Sequence, residues 1–554
     1  MFDLHSLKKI LSKCSIADLQ RVLDVDIVDT LIALDERQTP TQLAEALITC
    51  FGRRFFYIKK LRSLLIKTLS DKELEKLLRK KEFRQSVLDA ESPKDLLDKI
   101  NTFTWGDNEK SKLLLDILEL NQEDFILPRR KKDPFKESIE LEKKDSLESW
   151  EFSLHPYQEE IRKDIVQFLN KDSKKRLLVH MPTGSGKTRV MMEAVCDFFR
   201  LQKKPTTVIW MAYSDELCSQ AAETFMDRWQ LRGSYPLNIL RFWGGRKLEE
   251  FDKRANNFVI TSFDTAHAAL TSRTDTKFEF FLNLRGSSSL VIVDEAHQAP
   301  APTYSDAIEL LLGGAKLVGL TATPGSNRQE RNDVAEFFEK NKVTLSKKYS
   351  RPSPIEYLQD QEILSEIDHY KLAGSDINLT EDQLNYVSKQ LELPDSVLKE
   401  LGKDKQRNLV ILQELTELVH EKKQTIVFAT SVKHAQLLTI CLKTLGAKAA
   451  CIVGETPYDE RVSFIKEFKS NNLNILINFG VLTTGFDAPN TDAVLIARPT
   501  YSVVLYSQMI GRGLRGEKMG GTKDCKILNV VDNIMNMPQA TQAFTYFESD
   551  WNIN

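Results

Sequence analysis

From Arg176 to Thr188 the chain reads RLLVHMPTGSGKT, and this stretch restricts the fold more than any other. Leu177, Leu178 and Val179 form a short apolar run, Pro182, Gly184 and Gly186 interrupt regular structure, and a helical pattern follows from Arg189 to Phe199. That order reads as buried strand, tight loop, helix. Such a loop turns its backbone N–H groups around phosphates, its lysine reaches the β- and γ-phosphates, and its hydroxyl ligates magnesium. Gly184, Ser185, Gly186, Lys187 and Thr188 stand at those positions, while Met181 replaces the first glycine of the strict pattern.

The segment SSLVIVDEAH, Ser288 to His297, carries the second constraint. Leu290 to Val293 is too continuously apolar for a half-exposed strand, so it belongs at the centre of a parallel sheet covered on both faces. Ligands bind at the carboxyl ends of such strands. Asp294 is placed there to hold magnesium, and Glu295 to orient a water for attack on a γ-phosphate. Lys316 to Pro324, KLVGLTATP, repeats the pattern, and the hydroxyls of Thr321 and Thr323 can relay hydrogen bonds away from the nucleotide site.

A second α/β core follows. Strands are expected at 424–431, 473–478 and 493–496, alternating with helical stretches and ending at QMIGRGLR, residues 508 to 515. Arg512 and Arg515 are the guanidinium candidates for meeting transition-state charge, an effect worth about 10³ to 10⁵ in rate in related systems. They belong to a different lobe from Lys187, so the site would be complete only when two lobes close.

A chain of 554 residues has room for about three or four domains. Residues 1–130, rich in Leu, Lys, Glu and Asp at helical spacing, read as an all-α domain, with Asp71 capping one helix and Pro93 near the start of another. The cluster Arg53, Arg54, Lys59, Lys60, Arg62 and Lys67 around Phe55, Phe56 and Tyr57 reads as an aromatic core face with a solvated basic face. Residues 131–150 carry dense charge of both signs and read as a linker, and residues 325–365 hold the crossing between lobes. No run of about 18 apolar residues suggests a membrane span, and the first residues lack the unbroken apolar core of a signal peptide. Seven scattered cysteines form no zinc spacing and fit a reducing, cytoplasmic setting. A net charge of -2 leaves any polyanion contact to local patches.

The phosphate loop, DEAH, TAT, TTGFD and QMIGRGLR, in that order, resemble superfamily 2 helicases, especially bacterial restriction-enzyme motor subunits and excision-repair type helicases. The resemblance implies two tandem RecA-like parallel-sheet domains, 151–345 and 346–536, preceded by the helical domain and followed by a tail, 537–554, that packs on the second lobe. It implies ATP and Mg2+ as cofactors. Tyr157 and Gln158 would then contact adenine, Gly485 and Asp487 would meet the nucleotide from the second lobe, and Gln508 would join the catalytic set. Ser214, Gln220, Thr261 and Thr484 would face nucleic acid, DNA being favoured over RNA. His297, Thr321 and Thr323 would couple the two sites. The function so implied is an ATP-dependent helicase or translocase in repair, restriction or anti-phage defence, with a protein partner such as a nuclease subunit on residues 1–130. The alternative is a nucleic-acid-sensing ATPase switch that recruits a partner without moving a strand. Only about twenty residues separate Asp487 from Gln508, which leaves no room there for a long strand-separating hairpin.

Overall fold

The computed structural model describes residues 4–533, apart from 35–36, 84–92, 128–134, 140–153, 172–173, 245, 247, 249–251, 273–275, 326–327, 350–352, 391, 482–487, 489 and 501. Among the described residues the strands form two sheets. The first contains β1 (Lys136–Ile139), β2 (Arg176–His180), β3 (Thr207–Ala212), β4 (Leu237–Phe242), β5 (Asn257–Ser262), β6 (Ser288–Val293), β7 (Lys316–Thr321) and β8 (Lys342–Val343). Their order is β1-β4-β5-β3-β6-β7-β2-β8. Every pairing is parallel except β1 with β4. The second sheet contains β9 (Glu366–Asp376), β10 (Thr425–Phe428), β11 (Ala449–Ile452), β12 (Ile475–Asn478), β13 (Ala493–Ile496) and β14 (Asp524–Asn533). It is wholly parallel, in the order β11-β12-β10-β13-β14-β9.

The apolar runs become central strands because helices cover both faces. All six residues of β3 and of β7 are buried, as is all of β10. β8 is the last strand of the first sheet and β9 the first of the second, so the chain crosses between residues 344 and 365, inside the expected interval. Lys136–Ile139, read as linker, instead form the antiparallel edge strand β1, and Phe135 beside them is buried against Phe280.

Helices occupy residues 4 to 125, and Ser70 rather than Asp71 caps the helix Asp71–Leu78, in a capping box with Glu73. The basic cluster also departs from the amphipathic reading. Phe55 and Phe56 are buried, but so are Arg53 and Arg62, whose guanidinium groups bond backbone carbonyls together with the side chains of Asp459 and Asn101. The helical domain shares one core with the second sheet, where Leu43, Leu47 and Ile48 join Leu437, Leu438 and Ile475.

β14 is locked by a buried ion pair. Arg407 Nε and Nη2 donate to the two Asp532 carboxylate oxygens at 2.7 and 2.9 Å, and both side chains are fully buried. The tail aromatics Phe544, Tyr546, Phe547 and Trp551 lie outside the described residues.

Candidate nucleotide and nucleic-acid site

β2 delivers the chain into the phosphate loop, where Gly184 and Gly186 take φ of 81° and 87°, the left-handed region that a side chain disfavours. Lys187 then opens the 15-residue helix Lys187–Leu201, so the helix N-terminus follows directly on the loop. Met181 is fully buried and its N–H bonds Thr321 O of β7, so the missing first glycine is a core position here.

Tyr157 and Gln158, expected to meet adenine, are both buried and turned to the loop. Tyr157 Oη donates to Ser185 O at 2.7 Å, and Gln158 Nε2 donates to the same oxygen at 2.9 Å. Gln158 Oε1 accepts from His155 N–H at 3.0 Å. These side chains hold the loop's shape.

β6 ends at Asp294, which is buried, and Glu295, whose backbone is left-handed with φ 50° and ψ 49°. That turn brings the Glu295 N–H onto Asp294 Oδ1 at 3.0 Å and sends its carboxylate to His297 Nδ1 at 3.5 Å. Burial raises the Asp294 pKa and the neighbouring Glu295 charge adds to it, with Lys187 opposing. Burial lowers the Lys187 pKa, while Glu295 and Asp294 raise it. The His297 pKa is lowered by burial and supported by Glu295 and Glu330. Thr321 Oγ1 lies 3.5 Å from His297 Nδ1, donates to Thr323 O at 2.9 Å and accepts from Thr323 N–H at 3.1 Å. The three residues expected to couple the sites therefore form one cluster.

The second sheet closes on this centre. A Cβ at Gly511 would lie 2.2 Å from Thr183 Cγ2, and one at Gly184 would lie 3.5 Å from Leu514 O, so QMIGRGLR packs directly against the phosphate loop. Arg512 feels both Glu295 and Lys187, and burial lowers its pKa to about 10. Gln508 lines a cleft of about 630 Å³ with Glu295 and His297 of the first sheet. The Arg515 backbone carbonyl accepts from Ser365 Oγ and Thr522 N–H, and burial lowers the pKa of its guanidinium.

Ser214 caps the helix Asp215–Arg232 and lines the same cleft, and Gln220 is half-buried one turn further on. Thr261 is fully buried and its hydroxyl donates to Ser262 O, so the structure presents no Thr261 side chain to a strand. Thr484, Gly485 and Asp487 lie outside the described residues. Thr188 is the second residue of the helix Lys187–Leu201. No group of three metal-binding carboxylate, imidazole or thiol side chains occurs among the described residues. Sequence reading missed Arg461 and Glu216, whose ion pair spans the cleft at 2.7 Å; nothing local marks two such residues as partners.

Two parallel sheets joined by a phosphate loop, a DEAH turn and a second-lobe arginine define a nucleoside-triphosphate motor core. Residues 151–326 match the family model described as type III restriction enzyme, res subunit, and residues 407–517 match the helicase conserved C-terminal domain. The chain belongs to the superfamily 2 helicases and resembles restriction motor subunits. It is 25% identical to "Putative ATP-dependent helicase IRC3" of Saccharomyces cerevisiae, over 68% of this chain and 51% of that protein. It is 26% identical to a 51.5 kDa protein of a Lactococcus phage, over 56% of this chain and 65% of that one. The alignments thus span about half to two thirds of these relatives' own lengths. S. cerevisiae Dbp5 bound to RNA and ADP BeF3 aligns with a TM-score of 0.46 at 15% identity, over 72% of this chain and 92% of that one. No described helix is long and apolar enough to cross a membrane.

Proposed function

We propose that the chain is an ATP-dependent nucleic-acid motor that works on DNA, in a restriction, repair or phage-defence setting. The observation that carries this reading is the convergence of Lys187, Asp294 and Glu295 from one sheet with Arg512 from the other. In the proposed cycle the loop N–H groups and Lys187 hold the ATP phosphates, while Thr188 and Asp294 hold magnesium. When bound, magnesium supplies positive charge against the phosphate oxygens. Glu295 orients the attacking water, and Arg512 meets the charge that develops on the transferred group. His297 and Thr321 pass the nucleotide state to the cleft, and closing and reopening change the grip on a strand, so differential affinity in the two states drives movement. The res-subunit match favours DNA as the polymer. Seven free cysteines fit a cytoplasmic protein.

The test is steady-state ATP hydrolysis without polymer and with single-stranded, duplex and forked DNA and RNA, beside Lys187→Ala and Glu295→Gln. DNA-specific stimulation that both substitutions abolish supports the motor. Hydrolysis indifferent to every polymer overturns it and leaves the partner-recruiting switch, for which residues 1–130 would be the docking domain.

A further inference from the structure

Arg53 of the helical domain is 1% exposed, yet its guanidinium faces the second sheet's domain. Nε donates to Asp124 O at 2.5 Å, Nη2 donates to Glu123 O at 2.6 Å, and Nη1 pairs with Asp459. Asp459 and Glu460 lie in the first turn of the helix Tyr458–Lys469. Glu460 is buried on Gly52, whose φ of 46° and lack of a side chain let the carboxylate approach; a Cβ there would lie 2.5 Å from Glu460 Oε1. The Arg53 backbone N–H bonds this carboxylate as well. Arg54 Nη1 donates to Glu455 O at 3.2 Å, just before the helix. The segment 455–460 is therefore clamped to the helical domain by side chain and backbone together.

The next residue is Arg461, turned by about 100° around the helix axis from Glu460. It reaches across the cleft to Glu216, in the first turn of the helix that Ser214 caps. Among the described residues Arg461 Nε, which is buried, has no hydrogen-bond partner and the guanidinium pairs with Glu216, so the helix under it sets where the guanidinium sits. Three consecutive residues of the second sheet's domain thus touch the two other bodies: 459 and 460 the helical domain, 461 the first sheet's domain.

We infer that Arg53 is a positioning residue for cleft closure, holding the first turn of Tyr458–Lys469 so that Arg461 meets Glu216. The inference rests on the reading of the chain as a motor whose lobes close. A ligand or protein that shifts the helical domain would then alter closure through this turn, with no contact to the nucleotide or the strand.

The experiment uses the full chain with fluorophores on non-natural residues at the exposed positions Leu201 and Leu445, one on each lobe. Energy transfer reports closure, and DNA-stimulated hydrolysis is measured in parallel. Arg53→Gln and Glu216→Gln should each lower the closed fraction and cut stimulated kcat by about fivefold, with the double variant no worse than Glu216→Gln alone. Arg62→Gln is the control: Arg62 is buried in the same domain on Asn101, Phe56 and Phe103, and its hydrogen bonds among the described residues stay within that domain. It should lower the melting temperature without changing energy transfer. Equal opening by Arg62→Gln, unchanged transfer in Arg53→Gln, or additive effects in the double variant would each overturn the proposal. Opening by Arg53→Gln in a protein that hydrolyses no ATP with any polymer would uphold the positioning role and overturn the motor reading instead.

Discussion

Gly511→Ala separates lobe closure from folding. The added methyl would lie 2.2 Å from Thr183 Cγ2 on the phosphate loop, more than an ångström inside the ordinary carbon contact distance of about 3.5 Å. Thr183 belongs to the other lobe, so this larger overlap is relieved by moving the lobes apart, and Arg512, next in the chain, moves with them; the same methyl also lies 2.9 Å from Ser507 O of its own lobe, a contact that opening does not relieve. Displacing a catalytic group by about 1 Å costs on the order of 10²-fold in rate, and complete loss of a charge-meeting arginine costs about 10³ to 10⁵. We expect a fall of about a hundredfold in stimulated kcat, with a melting loss smaller than that of Gly513→Ala, since only the Ser507 O contact falls within its own lobe. Thr183→Ser in the same background removes the clashing Cγ2 and should recover part of the loss. Gly513→Ala provides the contrast. Its methyl would meet Cys525 Sγ at 2.3 Å and Val494 Cγ2 at 2.9 Å, both within the second sheet's own core, so it should lower stability along with activity. Full stimulated hydrolysis in Gly511→Ala would refute the packing of QMIGRGLR on the loop as the working geometry. A melting loss matching that of Gly513→Ala would refute the separation.

Burial raises the Glu460 pKa from its ordinary 4.5 to about 7, against the opposing influence of Arg53, Lys443 and Arg54. A carboxyl held above its unfolded value is a load on the folded state that grows as pH rises from about 4.5 and is complete above about 7, on the order of 3 kcal/mol. Glu460→Gln should therefore be more stable than the parent in urea unfolding at pH 8 and equal to it near pH 4.5; a difference that is constant with pH would count against this. Asp532→Asn leaves the buried Arg407 without its counter-charge and should cost about 3 to 5 kcal/mol, whereas paired Arg407→Met and Asp532→Leu should cost much less. Equal losses in the single and paired variants would rule that out.

The phosphate loop, DEAH and central strands were legible because each is local: a strand buried on both faces is an apolar run, and a phosphate loop is contiguous. β9, EIDHYKLAGSD, is an edge strand exposed along most of its length, so it lacks the apolar signature that marked β10 and β13, although it pairs with β14 over most of its length. β1 hid in a charged segment for the same reason, since one edge pairing requires few apolar residues. Buried arginines were illegible in principle. Arg53 and Arg62 sit in the same basic run as the exposed Lys59 and Lys60, and what distinguishes them is mainly partners about 40 to 400 residues away in the chain. For Tyr157 and Gln158 the resemblance gave a nucleotide partner, while the partner at hand, Ser185 O, lies about 27 residues on and has no signature in the sequence. Thr261 follows from burial at the end of β5, which no hydroxyl count reveals.

The left-handed backbone at Glu295 sets selection for durability against selection for turnover. A residue with a Cβ in that conformation costs the fold about 1 to 2 kcal/mol, and glycine or asparagine would release it. Mutagenesis screened only for heat resistance would therefore be drawn to position 295, enriching proteins that outlast the parent and have lost the carboxylate that directs water.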